Sequence, residues 1–380
     1  MTTLQTQSFP TSLEAIHQRI DQIKPEAYGR TRNFIDGAVT GLSPYLSRGV
    51  ISLPQVYTKL RQKGYRDFQM EKLVQEFAWR EYFQRVWQAK GDALFSDLRQ
   101  PQPDVLHHQL PRAVENASTG IEALDAGIRQ LYDTGYLHNH MRMYLASLTC
   151  NLAKSHWLVP AQWMYYHLLD GDPASNHCSW QWVAGAFSSK KYYCNQENIN
   201  RYTYTEQRGT FLDHPYETLP ELPVPDRLKE TVARSLQTEL PETPVPVLDP
   251  SLPLLIYNSY TLDPQWRSAA RANRILLLEP AHFRKFPVSK KVLGFILELA
   301  RNIPGIQVYT GEVSDLLQLL PDQGKNMDMI SKEHPAFTHY PGQQDPRDWL
   351  YPQVSGYFPS FSGFWKQCGK KGIIRPGDPR

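Results

Sequence analysis

Between residues 45 and 215, apolar positions recur three or four apart and the run is dense in aromatic rings, which predicts helices. The stretch LSPYLSRGVISLPQVYTKL opens with a serine able to cap a helix and a proline suited to a first turn. MEKLVQEFAWREYFQRVW predicts a second helix, with Leu73, Phe77, Trp79, Tyr82, Phe83 and Val86 crowding one broad side. IEALDAGIRQLYDTG predicts a third that stops at its last glycine. YLHNHMRMYLASLTCNLAKSHW predicts a fourth, apolar around so much of its surface that it belongs inside. QWMYYHLLDGD and NHCSWQWVAG then supply a further helix, a polar break and a tryptophan-bearing segment. Strand-like runs are few, so this part of the chain reads as an all-α core.

The pattern changes after residue 215. A proline-rich connector, with a short helix expected over 226–237, gives way to the strand candidates LLIYNS, RILLLEP and IQVYTG. These alternate with the helical stretches SKKVLGFILELARN and VSDLLQLL, which predicts a small α/β unit with parallel strands. From 332 onward Pro, Gly and aromatic residues mix, and an irregular tail packed on another domain is expected, because so many rings are costly to leave wet. The fold class that follows is mainly α with a small C-terminal α/β unit. Its expected divisions are a helical domain over 1–215, a connector over 216–253, the α/β unit over 254–331 and the tail over 332–380.

Composition narrows the functional classes only a little. With 380 residues, 41% of them hydrophobic, the chain can bury a large core, and a net charge of +3 excludes a strongly basic arm or acidic tail. A local phosphate-binding face is still compatible with that balance. Cys150, Cys178, Cys194 and Cys368 form no CxxC pair, so neither a disulfide framework nor a metal site is expected. The N-terminal residues lack the basic start and apolar run of a leader, and no stretch approaches about 18 continuous apolar residues. A cytoplasmic protein without a membrane partner is the expectation.

Chemistry concentrates in TGYLHNHMRMYLASLTCNLAKSHWLVPAQWMYYHLLDGDPASNHCSWQWVAG, preceded by YGRTRNFIDGAVTGLSPYLSRGVIS and EFAWREYF. An apolar helix carrying Arg142 would not bury that cation without a partner, and the acidic DGD turn offers one. Taken together, these segments, over about residues 28–185, resemble the FAD-binding domain of the DNA photolyase and cryptochrome family. The resemblance implies a bent FAD held among helices. Tyr28, Thr40, Leu42 and Ser43 match its phosphate-binding run, whereas Val39 and Gly41 lack a hydroxyl and a guanidinium found in the family. It further implies an Arg142–Asp170 ion pair against the flavin, Asp172 at the pyrimidine edge, Asn176 facing flavin N5, and Arg80 close to both flavin and substrate.

By the same resemblance, Glu76, Trp79, Asn139, Met143 and Trp182 surround a flipped cyclobutane pyrimidine dimer, the two indoles clamping its flat faces. Trp180 and Trp157 match the proximal and middle members of an electron relay whose distal tryptophan has no counterpart. Two departures weaken the match to DNA repair. His140 stands where an arginine is usual, and CNQENIN at 194–200 replaces an arginine-bearing run, although Arg201, Arg208, Lys190 and Lys191 could compensate. The order of domains also departs, with the α/β unit following the helices. The reading is a photolyase-like carbon–carbon lyase acting on dimer-containing or single-stranded DNA. Its alternatives are a cryptochrome-like light-signalling flavoprotein with a signalling partner, or an FAD-binding redox protein.

Overall fold

Helix boundaries follow local capping chemistry. In the computed structural model, which describes residues 8–320 and 327–372, α1 (Leu13–Asp21) starts where the Ser12 hydroxyl accepts from the Ala15 amide, and α2 (Pro25–Thr31) starts at a proline. The LSPYLSRGVISLPQVYTKL stretch forms two helices, α3 (Ser43–Ser47) and α4 (Leu53–Gln62). Gly49 separates them at a φ of 69°, and a Cβ there would meet the Tyr260 carbonyl oxygen at 2.4 Å. Ser52 and Gln55 then form a capping box that opens α4. The long helix α5 (Asp67–Lys90) buries Phe77, Tyr82, Val86 and Trp87 around much of its circumference.

After the short α6 (Arg112–Glu115), α7 (Glu122–Thr134) ends at Gly135, whose φ of 74° is the left-handed cap the sequence implies. Next, α8 (Asn139–Ala146) runs into a π-helical turn at Ser147–Leu152. Then follow α9 (Leu158–His167), α10 (Pro173–Ala184) and α11 (Gln196–Thr203). The helix expected over 226–237 stops early. Its start is α12 (Asp226–Lys229), after which the β-branched pair Thr231–Val232 (β2) leaves the helix to pair antiparallel with Leu110–Pro111 (β1). The Glu230 carbonyl accepts from the Arg112 amide beside this ladder.

The α/β unit is a five-stranded sheet of β3 (Leu254–Tyr257), β4 (Asn273–Leu278), β5 (Ile306–Thr310), β6 (Met329–Lys332) and β7 (Gln343–Asp345). The spatial order is β5-β4-β3-β6-β7 and every neighbouring pair is parallel, as expected from the alternation of elements. Crossovers run through α13 (Pro280–Lys285), α14 (Lys290–Ala300) and α15 (Val313–Gln318). The region expected to be an irregular tail is more ordered than its Pro and Gly content suggests. It supplies β7, which completes the sheet edge, and α16 (Phe361–Lys371), capped by Ser360, whose Phe361, Phe364 and Cys368 are buried. Spacings of three and four put those three residues on one face, against α5.

One continuous apolar cluster joins α1, α4 and α5 to strands β3 and β4 and to helices α14 and α16. A second lies among α7, α8, α9 and α10, and a third covers the other side of the sheet around Leu254, Ile256 and Leu277. The reversal of strand order falls between β3 and β6, whose C-terminal ends meet the helical part of the molecule. All four cysteines are free and buried. Among the described residues no helix is long and apolar enough to cross a membrane.

Candidate functional site

The Arg142–Asp170 pair expected from sequence is present and tightly made. Arg142 Nη2 donates to both Asp170 carboxylate oxygens, at 3.0 and 2.8 Å, while its Nε donates to the Leu137 carbonyl at 2.8 Å. Helix α8 carries the arginine and the loop after α9 carries the acid. The guanidinium lies 5.5 Å from the centre of the Tyr136 ring.

Asp172 caps α10, its Oδ1 accepting from the Ser175 amide at 2.7 Å and its Oδ2 from Gln84 Nε2 at 2.5 Å. Arg80 Nη2 stands 3.7 Å from the same Oδ2, and the Arg80 guanidinium also donates to Ser47 Oγ and to the Leu46 carbonyl. Asn176 donates its amide to the Ala161 carbonyl at 2.8 Å, which fixes the side chain and leaves Oδ1 as its free acceptor. The Ser175 hydroxyl between these two residues is buried with no hydrogen-bond partner.

At the other end, Glu76 pairs with Arg32 at 3.4 Å, with both side chains partly open to solvent. Burial pushes the Glu76 carboxyl upward, and the Arg32 cation opposes that shift. The Tyr28 phenol is pushed up chiefly by burial, with Glu76 adding to the effect. Asn139 and Met143, one turn apart on α8, face each other with Nδ2 to Sδ at 3.9 Å. In the phosphate-binding run, Thr40 Oγ1 accepts from the Leu42 amide at 3.3 Å, and Gly41 takes a φ of 62°. A left-handed backbone there favours glycine over the arginine the family carries. Ser43 is the first residue of α3, which extends for only five residues.

The two indoles expected to clamp a substrate have separate surroundings. Trp79 stacks on Phe361 of α16, with ring centres 3.7 Å apart and planes within 10°. Trp182 is 36% exposed and leans on Tyr192. Trp180 and Trp157 share the second apolar cluster, and the Trp157 indole donates to Asp97 at 2.7 Å. Trp163 is buried and donates to the Tyr132 hydroxyl at 3.1 Å.

Sequence reasoning missed the contribution of the C-terminal region. Arg347 Nη1 donates to Gln84 Oε1 at 2.6 Å, so a chain Arg347–Gln84–Asp172 reaches the site from beyond β7. Arg347 also pairs with Glu333 at 2.7 Å. A cavity of about 110 Å³ lies beside this chain, lined by Ser47, Arg80, Gln84, Lys332, His334 and Arg347. A larger cleft of about 670 Å³, between α4 and the loops after β3 and β7, is lined by none of the residues singled out from sequence. No signal within any one motif announces the link, because the Arg347–Gln84 contact joins residues 263 apart in the chain.

The donor set suits a flavin. Acceptors at Asp170, Asp172 and Asn176 match the N–H groups of such a ring system. Donors at Arg142, Arg80 and the unsatisfied Ser175 hydroxyl match its carbonyl and ring-nitrogen acceptors. Each Asp172 oxygen has a second lone pair beyond the bond it already accepts. Fold and site together define a helical flavin-binding domain joined to a doubly wound α/β unit.

Residues 73–239 match the family model described as the FAD binding domain of DNA photolyase. This segment is an FAD-binding domain of the photolyase and cryptochrome type, and the cofactor it implies is FAD. It is 34% identical over 154 residues to a deoxyribodipyrimidine photo-lyase of Streptomyces griseus, covering 39% of this chain and 32% of that protein. It is 29% identical over 210 residues to a cryptochrome DASH of Synechocystis, covering 52% of this chain and 42% of that protein. A solved Synechocystis cryptochrome aligns at a TM-score of 0.48 and 25% identity, over 60% of this chain and 50% of that one. The chain spans about a third to a half of the length of the curated relatives it matches.

Proposed function

We propose that the protein is a photolyase-type lyase that opens cyclobutane pyrimidine dimers in DNA under blue light. When bound, reduced FAD supplies a light-excitable one-electron donor. Arg142, Asp170, Asp172 and Asn176 would hold it, with Arg80 at its flank. Asn176 would place beside it a neutral amide with no acidic proton to give.

The observation that carries the repair reading is the group at the opposite end of the site. Glu76 is partly open, its carboxyl is raised by burial, and Arg32 balances its charge, so it can accept or donate a hydrogen bond at a pyrimidine edge. Asn139 and Met143 lie on the first turns of α8, the helix that also holds Arg142. Trp182 adds an exposed indole face for a flat lesion that is already poorly stacked in its strand.

A second reading, a light-responsive signalling flavoprotein, is favoured by one contact. Phe361 covers a face of Trp79, which leaves one fewer indole surface for a substrate. Chromatography of irradiated oligonucleotides after incubation with FAD-loaded, chemically reduced protein separates the two. Loss of dimers in light and not in darkness is the expected result, and unchanged dimers in single and double strands would transfer the assignment to signalling.

A further inference from the structure

A file of aromatic rings runs from the buried Tyr144 on α8 to the open surface. The buried Tyr144 ring lies 4.4 Å from His140, and His140 lies 4.7 Å from Tyr202 in an edge-on contact. Tyr202 is 4.9 Å from Phe34, and Phe34 stacks on Tyr204 at 5.6 Å with planes 21° apart. The backbone ties the file together. The Ile35 amide donates to the Tyr202 carbonyl at 3.1 Å, and His140 Nδ1 is 2.9 Å from the Asn33 carbonyl oxygen. His140 therefore fastens the 31–37 loop to α8 and adds a ring to the file, instead of adding charge.

The outer end of the file is built at a conformational cost. Tyr204 terminates α11 with a φ of 56°, in the left-handed region that a bulky residue rarely adopts and that glycine or asparagine would fill without strain. The strained residue presents its ring outward, with 51% of its surface exposed. Strain of this kind clusters at functional sites and is held by the structure around it. Positive charge accompanies the rings. Arg201 lies 5.5 Å from the centre of Tyr202, and segments 30–36 and 201–208 carry Arg30, Arg32, Arg201 and Arg208 against Asp36 and Glu206. Asp36 stands beside the Tyr204 phenol at the far end.

We propose that this ledge binds single-stranded DNA by stacking unpaired bases on Tyr204, Phe34 and Tyr202, with arginines alongside for the phosphates. This inference rests on the repair reading for its setting and deepens it by naming the strand state the site receives. Stacking tolerates any base and needs unpaired ones, because a duplex presents its bases already stacked. The arginines on the phosphates release counterions, so the affinity falls as salt rises. The loss of the usual arginine at His140 is then an exchange of phosphate grip for ring surface.

The test uses the full, FAD-loaded chain and a fluorescein-labelled oligothymidylate, titrated by anisotropy at several salt concentrations in darkness. The expected result is single-strand binding that weakens as salt rises, with weak competition by duplex of the same length. Tyr204→Gly removes both the ring and the strain, so it should weaken binding about tenfold while raising the thermal midpoint. A tyrosine with only a structural role would lower stability when replaced and leave affinity alone. Phe34→Leu, which keeps apolar volume, should also weaken binding by about tenfold. Wild-type affinity in Tyr204→Gly, equal competition by duplex, or no oligothymidylate binding by the wild type would each overturn the proposal. The dimer assay on the same preparations keeps the two readings apart. Repair with an unchanged Tyr204→Gly affinity removes the ledge alone, and ledge-dependent binding without repair removes the lyase alone.

Discussion

Arg142 makes every polar contact on its visible side with a partner fixed by geometry, two carboxylate oxygens and one main-chain carbonyl. Replacing it by alanine leaves the Asp170 carboxylate buried and unpaired, a loss on the order of 3 kcal/mol given that the arginine itself is partly open to solvent. Arg142→Ala should therefore elute from gel filtration with a flavin-to-protein absorbance ratio well below that of the wild type, and retention equal to wild type would remove the pair from the cofactor site. Trp180 is buried in the second apolar cluster, so Trp180→Phe should keep the fold and the flavin. Its photoreduction by an external thiol should slow at least tenfold if the indole is the nearest relay member, as stopped illumination and flavin absorbance would show. The Arg142–Asp170 pair was legible in the chain because a cation in an apolar helix demands a partner and an acidic turn lies 28 residues on. Gln84 and Arg347 were not legible. Their meeting depends on how the sheet docks against α5, and neither side chain carries a demand that sequence alone could resolve.

At the scale of elements, α16 shows how a short helix can control a distant surface. Phe361 is held between Trp79 and Trp365, with ring planes within 10° and 13° of theirs, so its removal would leave a void among rings. Phe361→Ala should cost about 3–5 kcal/mol of stability, seen as a clear fall in the thermal midpoint, whereas Phe361→Leu should lose much less. The same alanine variant frees a face of Trp79, and affinity for a dimer-containing single strand should be retained or raised in protein that is still folded. A fall in lesion affinity at full flavin occupancy would show that Phe361 belongs to the binding surface. Helix α14 could be read from apolar spacing because its periodicity runs for three turns, and α5 from its 24 residues without a Gly or Pro break. The expected helix over 226–237 fails for the complementary reason. Its second half is short, β-branched at Thr231 and Val232, and claimed by a strand partner at Leu110–Pro111 that lies far away in sequence. Helix α16 was hidden by the glycines and prolines flanking it, since its anchor is the capping Ser360 and a three-residue apolar face, both weak signals in isolation.

For the molecule as a whole, buried titratable groups set its response to acid. Burial lowers His138 and His177 to about 4 and His282 to about 3, all below the ordinary histidine value of 6.5. Below pH 6.5 the unfolded chain takes up protons that the folded one refuses, so stability from these residues is present above 6.5 and is lost as the pH falls toward 4. Glu81 works in the other direction. Burial raises its carboxyl from 4.5 to about 7, despite amide donation from Leu350 and Tyr351, so the folded chain holds a proton there that the unfolded chain has released. Its contribution declines as the pH rises from 4.5 to 7. These histidines, joined by His167 at about 4 and by His334, which burial also lowers, outnumber the glutamate and predict a thermal midpoint that drops on acidification from 6.5 to 4.5, with a steeper drop in Glu81→Gln, measurable by scanning fluorimetry. A midpoint flat across that interval would show that the histidines are not neutral in the fold. The continuous apolar cluster linking α5 to the last helix has a further bearing, on the order of events during synthesis. The Tyr82 hydroxyl donates to the Phe358 carbonyl, 276 residues later in the chain. At about 5–20 residues per second, a ribosome would leave that side of α5 without its cover for roughly 15–55 s. Throughout that interval Tyr82 and Trp79 lack the cover that Phe358 and Phe361 give them in the finished fold.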